Sequence, residues 1–367
     1  MLGFQADHSK GLSDIKAAAT CRESLMYPAA VGALLTYYGF LLPLHGNGQV
    51  KLDVIAPLLA DLIDYDVYGG LNLVALGAFE QLKGNITKSI ELHKSAIPSL
   101  KHLGKLHLAC YGPLALNHAL LCDWRQALNY FDRVLSKKKI AKVAPTLTSY
   151  LYAMLYSMAA ADEETNTTER DRLHQLVHEH LTVASELQGH ATFLWKHVFY
   201  VPIVLSRARQ FKDSPKSWPL PAMEVLYLGN AFYMIHGQQS LVGAFLDRVS
   251  REITTIERDT FEYTDQYLYL LFMKGICLKH LEKEREARVC FKEVIDRECE
   301  LEYFTELPAQ AAYELGLAAK AAGSGHEANV WFDKVNSYVG YATEKIIKTR
   351  TRVARRGLHG TDKFAFG

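Results

Sequence analysis

Residues 268–295 read LYLLFMKGICLKHLEKEREARVCFKEVI. Leu268, Leu271, Phe272, Gly275 and Cys277-Leu278 form one apolar stripe at helical spacing. Ala287, Cys290-Phe291 and Val294-Ile295 form a second, and the polar knot Lys283-Glu284-Arg285 separates the two. The pattern predicts two antiparallel helices joined by a short turn. Gly275 and Phe291 carry most of the information. A small residue at the crossing lets the backbones approach, and the aromatic on the second helix fills the space beside it.

The same arrangement recurs along the chain. Leu76-Gly77, Leu114-Ala115, Lys274-Gly275 and Leu315-Gly316 fall in register. Twelve residues beyond each small residue stand Ser89, Ala127, Ala287 and Ala328; sixteen beyond stand His93, Phe131, Phe291 and Phe332; nineteen beyond stand Ala96, Val134, Val294 and Val335. A fifth segment, Leu228-Gly229 with Phe245, carries Leu241 where the others have a small residue. Gly84 and Gly323 sit where a first helix must end in a left-handed cap. One such hairpin cannot bury its own apolar face, so it must stack on neighbours. This is the spacing of the tetratricopeptide repeat, nominally about 34 residues long. The small residues here lie 38 apart (77 to 115), 46 apart (229 to 275) and 41 apart (275 to 316), which predicts lengthened helices or loops. The expected fold is all-α, a tetratricopeptide-like helical-hairpin solenoid.

Composition agrees with a packed array. The 367 residues are 49% hydrophobic, enough for a continuous core, and 41 Lys+Arg against 40 Asp+Glu leave a net charge of +1. A dedicated nucleic-acid binder usually runs basic, so no nucleic acid is expected as partner. Asp162-Glu163-Glu164 with Asn166-Thr167-Thr168 reads as a polar loop. Ser206–Pro221, with Pro215, Pro219 and Pro221, reads as unable to continue a helix. The chain therefore divides into a first helical-repeat sub-array over 1–205, a Pro-containing connection over 206–221, a second sub-array with a basic capping helix over 222–357, and a flexible tail over 358–367.

Several function classes lose their signature. Cys21, Cys110, Cys122, Cys277, Cys290 and Cys299 include no C-x-x-C pair and read as free thiols, mostly small core residues of a cytoplasmic protein. No cationic segment followed by an apolar run opens the chain. Glu23 to Lys51 encloses no charged residue, yet Pro28 and Pro43 bracket its apolar part, and the 14 residues between them would rise only about 21 Å against a hydrocarbon core of about 30 Å. A buried helix is expected there, followed by a turn at Gly46-Asn47-Gly48, and no transmembrane segment. His174, His178 and His180 share a polar helix but lack a carboxylate or cysteine to complete a metal site. Without G-x-S-x-G, P-loop or G-x-G-x-x-G, neither catalytic residues nor cofactors are expected.

The chain resembles the tetratricopeptide repeat protein 39 family with its inclusion-body-clearance relatives. The matching stretches run in order. Leu2-Gly3-Phe4, Asp7 and Gly11-Leu12 resemble the family's start, and Leu82-Lys83-Gly84-Asn85-Ile86 its LKGN turn. His107-Leu108-Ala109-Cys110-Tyr111, Asp123-Trp124-Arg125-Gln126-Ala127, Pro221–Tyr227, Glu314-Leu315-Gly316 and the basic stretch around Arg350 and Arg352 complete the set. The gapped start is closer to the C-type branch, although His8 replaces the usual Arg. Members usually begin with a longer helical region, so the expectation is either a fragment, a truncated gene model or a short isoform, or an apolar face at Met1 that something else covers. The resemblance implies a helical repeat scaffold acting through protein partners, with no catalytic residues to carry over.

Two surfaces are candidates for such contacts. Lys345, Lys348, Arg350, Arg352, Arg355 and Arg356 form a basic patch with Glu344 as the nearby acid, while Lys137-Lys138-Lys139 and Lys142 read as counter-charges to a helix C-terminus. In tetratricopeptide arrays the first helix of each repeat lines the concave face. The equivalent positions here are Leu226, Asn230, Tyr233, Tyr269, Phe272 and Tyr313. With Asn230 the only amide, a carboxylate clamp is not expected; an aromatic-lined face for an apolar helix or peptide is, unless those aromatics are core. The expected function is a non-catalytic protein-interaction scaffold or adaptor binding a protein or peptide partner. The alternative is peripheral membrane contact, a lipid- or organelle-surface factor docking through the basic helix.

Overall fold

The computed structural model describes residues 8–24, 26–41, 52–64, 69–135, 145–163, 166–186, 201–213, 218–256 and 263–356. The expected Gly46 turn, the Lys137–Lys142 cluster and the 358–367 tail lie outside them. Among the described residues there are 17 α-helices and no strand, and neighbouring helices pack in pairs. The chain opens with α1 (His8–Ala18), α2 (Tyr27–Thr36), which runs into a π-helical turn (Tyr37–Leu41), and α3 (Leu52–Asp64). Antiparallel hairpins follow: α4 (Gly69–Leu82) with α5 (Ile86–Lys101), α6 (Tyr111–Leu120) with α7 (Trp124–Leu135), and α8 (Pro145–Ala161) with α9 (Thr167–Glu186). Then come α10 (Val201–Phe211), α11 (Pro221–Leu228) and α12 (Gln239–Thr255). Two more hairpins, α13 (Tyr263–His280) with α14 (Glu284–Asp296) and α15 (Leu307–Ala321) with α16 (Gly325–Ser337), lead to a last helix, α17 (Glu344–Arg356).

The repeat register holds at the level of single bonds. In all four aligned hairpins the residue seven beyond the small one has a positive φ: Gly84 (83°), Cys122 (58°), Glu282 (61°) and Gly323 (77°). The next backbone N–H then reaches back to the carbonyl five residues earlier. Asn85 bonds to Glu80 at 2.8 Å, Asp123 to His118 at 2.8 Å, Lys283 to Leu278 at 2.9 Å and Ser324 to Ala319 at 2.9 Å. That left-handed residue and that 6→1 bond close a helix and free the chain to reverse. The close crossings are equally real. A Cβ on Gly77 would stand 2.5 Å from the His93 ring, one on Gly275 2.6 Å from Phe291, and one on Gly316 would overlap Phe332.

The fifth segment does not follow. Gly229 faces only the carbonyls of its own helix end, Val225 and Leu226, and Phe245 packs elsewhere. Asn230 turns left-handed (φ 55°) straight after α11, so no long first helix exists to pair with α12. Instead α12 crosses the turn ends of the first three hairpins. Gln238, just before it, donates Nε2 to the Gly84 carbonyl at 2.8 Å. Phe245 meets Trp124 edge-on at 6.3 Å and Phe232 at 5.3 Å. Arg248 forms a forked ion pair with Asp162. Val242, Phe245 and Val249 present one fully buried face.

Within the 206–221 connection, α10 stays helical to Phe211. One contiguous buried cluster runs from Ile86 to Ala354 across this connection. A buried ionic group sits at the crossing. Arg207 on α10 donates to Glu224 on α11 (Nη2–Oε1 2.9 Å) and pairs with Glu306 before α15, with its guanidinium 4.6 Å from the Phe304 ring centroid. A second, smaller cluster gathers Tyr27, Val31, Leu34, Tyr38 and Ile55. Within the uncharged stretch after Glu23, α2 buries Tyr27, Ala30, Val31 and Leu34 and leaves Ala29, Ala33 and Thr36 exposed, so the expected buried helix is buried on one face only; among the described residues no helix is long and apolar enough to cross a membrane.

Candidate functional site

Three of the sequence-selected aromatics are core residues. Tyr269, Phe272 and Tyr313 are at most 2% exposed. Tyr269 stacks on Phe304 at 4.8 Å and donates its hydroxyl to the Leu220 carbonyl at 3.2 Å. Phe272 meets Tyr227 edge-on at 5.1 Å, and Tyr313 lies 6.4 Å from Phe332. The expected aromatic-lined face is therefore not built from them. First helices of consecutive hairpins are squeezed between neighbours, and large rings there fill the gap. Leu226 is buried as well.

Asn230 and Tyr233 stay half-buried and border a polar cluster between α11, α13 and α15. Lys279 donates to Glu314 at 2.6 Å and to the Tyr233 hydroxyl at 3.0 Å, and Tyr227 donates to Glu314 at 3.2 Å. Burial works against the Lys279 charge, but Glu314 and Tyr233 outweigh it and raise its pKa. Burial, then the Lys279 charge, then His236 hold His280 well below the ordinary imidazole range. The cluster is saturated by its own partners and reads as a structural ionic lock.

The basic helix α17 does not present one positive face. Arg350 is buried and donates to the Leu228 carbonyl. Lys348 pairs with Glu344 at 2.7 Å, and Arg355 pairs with Asp333 and donates to the Asn329 carbonyl at 3.0 Å. Arg356 is half-buried; Lys345 and Arg352 are the exposed members of the six. The histidines of α9 are also spent locally: His178 meets the Lys212 carbonyl at 2.5 Å, and His180 stacks on Tyr152 at 4.9 Å. Among the described residues no group of three His, Cys, Asp or Glu could hold a metal.

The feature that sequence reasoning missed is a cavity of about 740 Å³ among α2, α3, α4 and α6, with Met234 at its far side. Ile55, Val74, Phe79, Leu82 and Leu116 supply apolar wall. The space itself comes from small residues. A Cβ on Gly32 or Gly112 would meet nothing within 4 Å, and Ala29, Ala75 and Ala78 stand beside them. Asn72 and Gln81 are the amides in the lining, and no charged side chain belongs to it among the described residues. Gln81 donates to Asn117 at 2.6 Å; Asn72, 7% exposed, has an Oδ1 with no hydrogen-bond partner. A trace in the sequence is α4 itself, GGLNLVALGAFEQL, whose apolar residues spread around the helix instead of forming one stripe.

Comparison with known proteins agrees with this architecture. The sequence model of Iml2/tetratricopeptide repeat protein 39 matches residues 1–281, well over half of the chain. The chain belongs to the Iml2/tetratricopeptide repeat protein 39 family. A curated relative, tetratricopeptide repeat protein ttc-39B of Caenorhabditis elegans, is 25% identical over 354 residues, covering 96% of this chain. The chain spans 59% of that relative's length.

Proposed function

We propose that the protein is a non-catalytic scaffold, a cytoplasmic adaptor that holds a protein or peptide partner on its helical array. The supporting observation is how the repeat residues are used. The small and aromatic residues of the aligned hairpins are consumed in stacking at the crossings, which makes those hairpins a framework and leaves partner contact to residues outside the crossings. Family membership points the same way, since helical repeats of this type serve protein contacts. Asn230 and Tyr233 are the sequence-selected residues of the partner face that keep exposed surface, so the proposed contact centres on them. The saturated ionic partners of Lys348 and Arg355 favour a capping role for α17 over a lipid-docking one.

Proximity labelling in cells with the wild-type chain, followed by affinity recovery, tests this reading. The double variant Asn230→Ala/Tyr233→Ala should lose the enriched partners while its helical circular dichroism is unchanged. Unchanged recovery with that variant would place the contact elsewhere. Loss of recovery on charge reversal of Lys345 and Arg352, with Asn230 and Tyr233 intact, would favour the basic helix instead.

A further inference from the structure

We propose that the cavity among α2, α3, α4 and α6 is a binding site for a small, uncharged, mainly apolar molecule carrying one hydrogen-bond donor. A long-chain alcohol has this chemistry. The inference goes beyond the adaptor reading and does not depend on it, because neither Asn230 nor Tyr233 lines this space.

Four observations carry it. The volume of about 740 Å³ lies within the roughly 300–1,000 Å³ typical of small-molecule sites. Side chains from α2, α3, α4 and α6 line the space and leave it open on one side, through which a small molecule could enter. Among the described residues the lining offers no charge to neutralise an ionised headgroup, which favours a neutral ligand. Finally, Asn72 borders the cavity from α4 and is 7% exposed; its Oδ1 accepts no hydrogen bond and is shut off from the open space until the amide rotates. A buried amide oxygen without a partner is costly to keep, and a hydroxyl or N–H on a ligand would satisfy it. The wide χ2 range of Asn lets that oxygen turn toward the donor. Position matters too. The cavity lies where the small cluster around Tyr27, Val31 and Ile55 meets the main core, and a Cβ on Gly32 or Gly112 would meet no atom there within 4 Å.

Equilibrium dialysis of the full chain with dodecan-1-ol, and with undecyl methyl ether as a probe of equal size that lacks the O–H, tests the proposal. The wild type should bind the alcohol saturably, and the ether about tenfold more weakly, as expected for one lost hydrogen bond. Asn72→Leu should bind both probes alike. Gly32→Leu projects a side chain into open space and also improves a helix position, so it should raise the melting temperature while cutting alcohol binding at least tenfold. Gly112→Leu repeats that test from the opposite wall, should either variant fold poorly. Non-saturable binding to wild type, alcohol binding untouched by both filling variants, or equal affinity for alcohol and ether in wild type would each overturn the proposal. So would concentration-dependent dimerisation that excludes the alcohol, because a second copy would then cover the cavity.

Discussion

The guanidinium of Arg350 donates a hydrogen bond to the backbone carbonyl of Leu228, which lies 122 residues earlier in the chain. The bond ties the closing helix α17 to the last turn of α11, where the chain leaves a helix through the left-handed Asn230. Leu228 needs a donor there because its carbonyl is among those a helix end leaves unsatisfied. Arg350→Met should therefore loosen α17 at a cost of about 1.5–3 kcal/mol, the range for a hydrogen bond to a charged group. Urea denaturation would read the loss, and limited proteolysis should cut first within 344–356. Wild-type stability with unchanged cleavage would show that the bond contributes nothing.

Glycines at two kinds of position should respond in opposite directions. Gly275→Ala and Gly316→Ala push a methyl into Phe291 and Phe332 and should each cost about 1–3 kcal/mol through overpacking. Gly32→Ala meets nothing and should gain up to about 1 kcal/mol from helix propensity. Equal effects at the three sites in thermal denaturation would contradict the crossing geometry.

Glu282 occupies a left-handed cap that Gly84 and Gly323 fill without strain. Glu282→Gly should raise stability by about 1 kcal/mol or less, because the relieved strain exceeds the entropy that glycine loses. Its ion-pair distance of 3.9 Å to His236, at an exposed site, is little to forfeit. A destabilised variant in chemical denaturation would show that the side chain matters more than the backbone.

Acid should weaken the fold earlier than carboxylate protonation alone would. His93, His180 and His280 are held below the ordinary imidazole value of 6.5, in each case first by burial. Between their folded pKa values and 6.5 the unfolded chain binds more protons, so stability rises with pH through that window. It is complete above about pH 7 and is lost as the pH falls below about 6.5. His93 is fully buried, with Nδ1 2.8 Å from the Ser89 carbonyl and Nε2 unpartnered. His93→Phe, which restores the aromatic of the other hairpins, should reduce the slope of the urea midpoint between pH 7.5 and 5.5. A midpoint that rises on acidification would reverse this assignment.

Breaking the lock around Lys279 should be worse than removing it. Lys279→Met leaves the Glu314 carboxylate buried without its cation, at about 3–5 kcal/mol. Lys279→Met/Glu314→Leu should recover most of that loss. A double variant no more stable than the single one in denaturation would mean that the two residues are not coupled.

The hairpins were legible because their logic is local. Gly275 and Phe291, or Gly316 and Phe332, meet through a fixed spacing that any reader of the sequence can align. The failures have one cause: a residue's fate there depends on helices far away in the chain. Phe245 satisfies the spacing rule, yet it packs on Trp124 and Phe232 because α11 ends too early to receive it. Tyr269 and Tyr313 hold the positions that line other grooves, yet here neighbouring hairpins close over them. Arg350, Lys348 and Arg355 look like a basic surface until Leu228, Glu344 and Asp333 are placed beside them. The cavity left almost no trace, because it is made of side chains that Gly32, Ala75, Ala78 and Gly112 do not have.

The placement of α12 changes how the molecule carries load. A simple stack of repeats is a spring: each unit touches only the next, and pulling on it opens the pitch one unit at a time. Here a 17-residue rod is fastened through Gln238, Phe245 and Arg248 to three successive turns. Stretching the first half must shear those fastenings together. The first three hairpins are thus cross-braced at their turns, like a truss, and not only stacked.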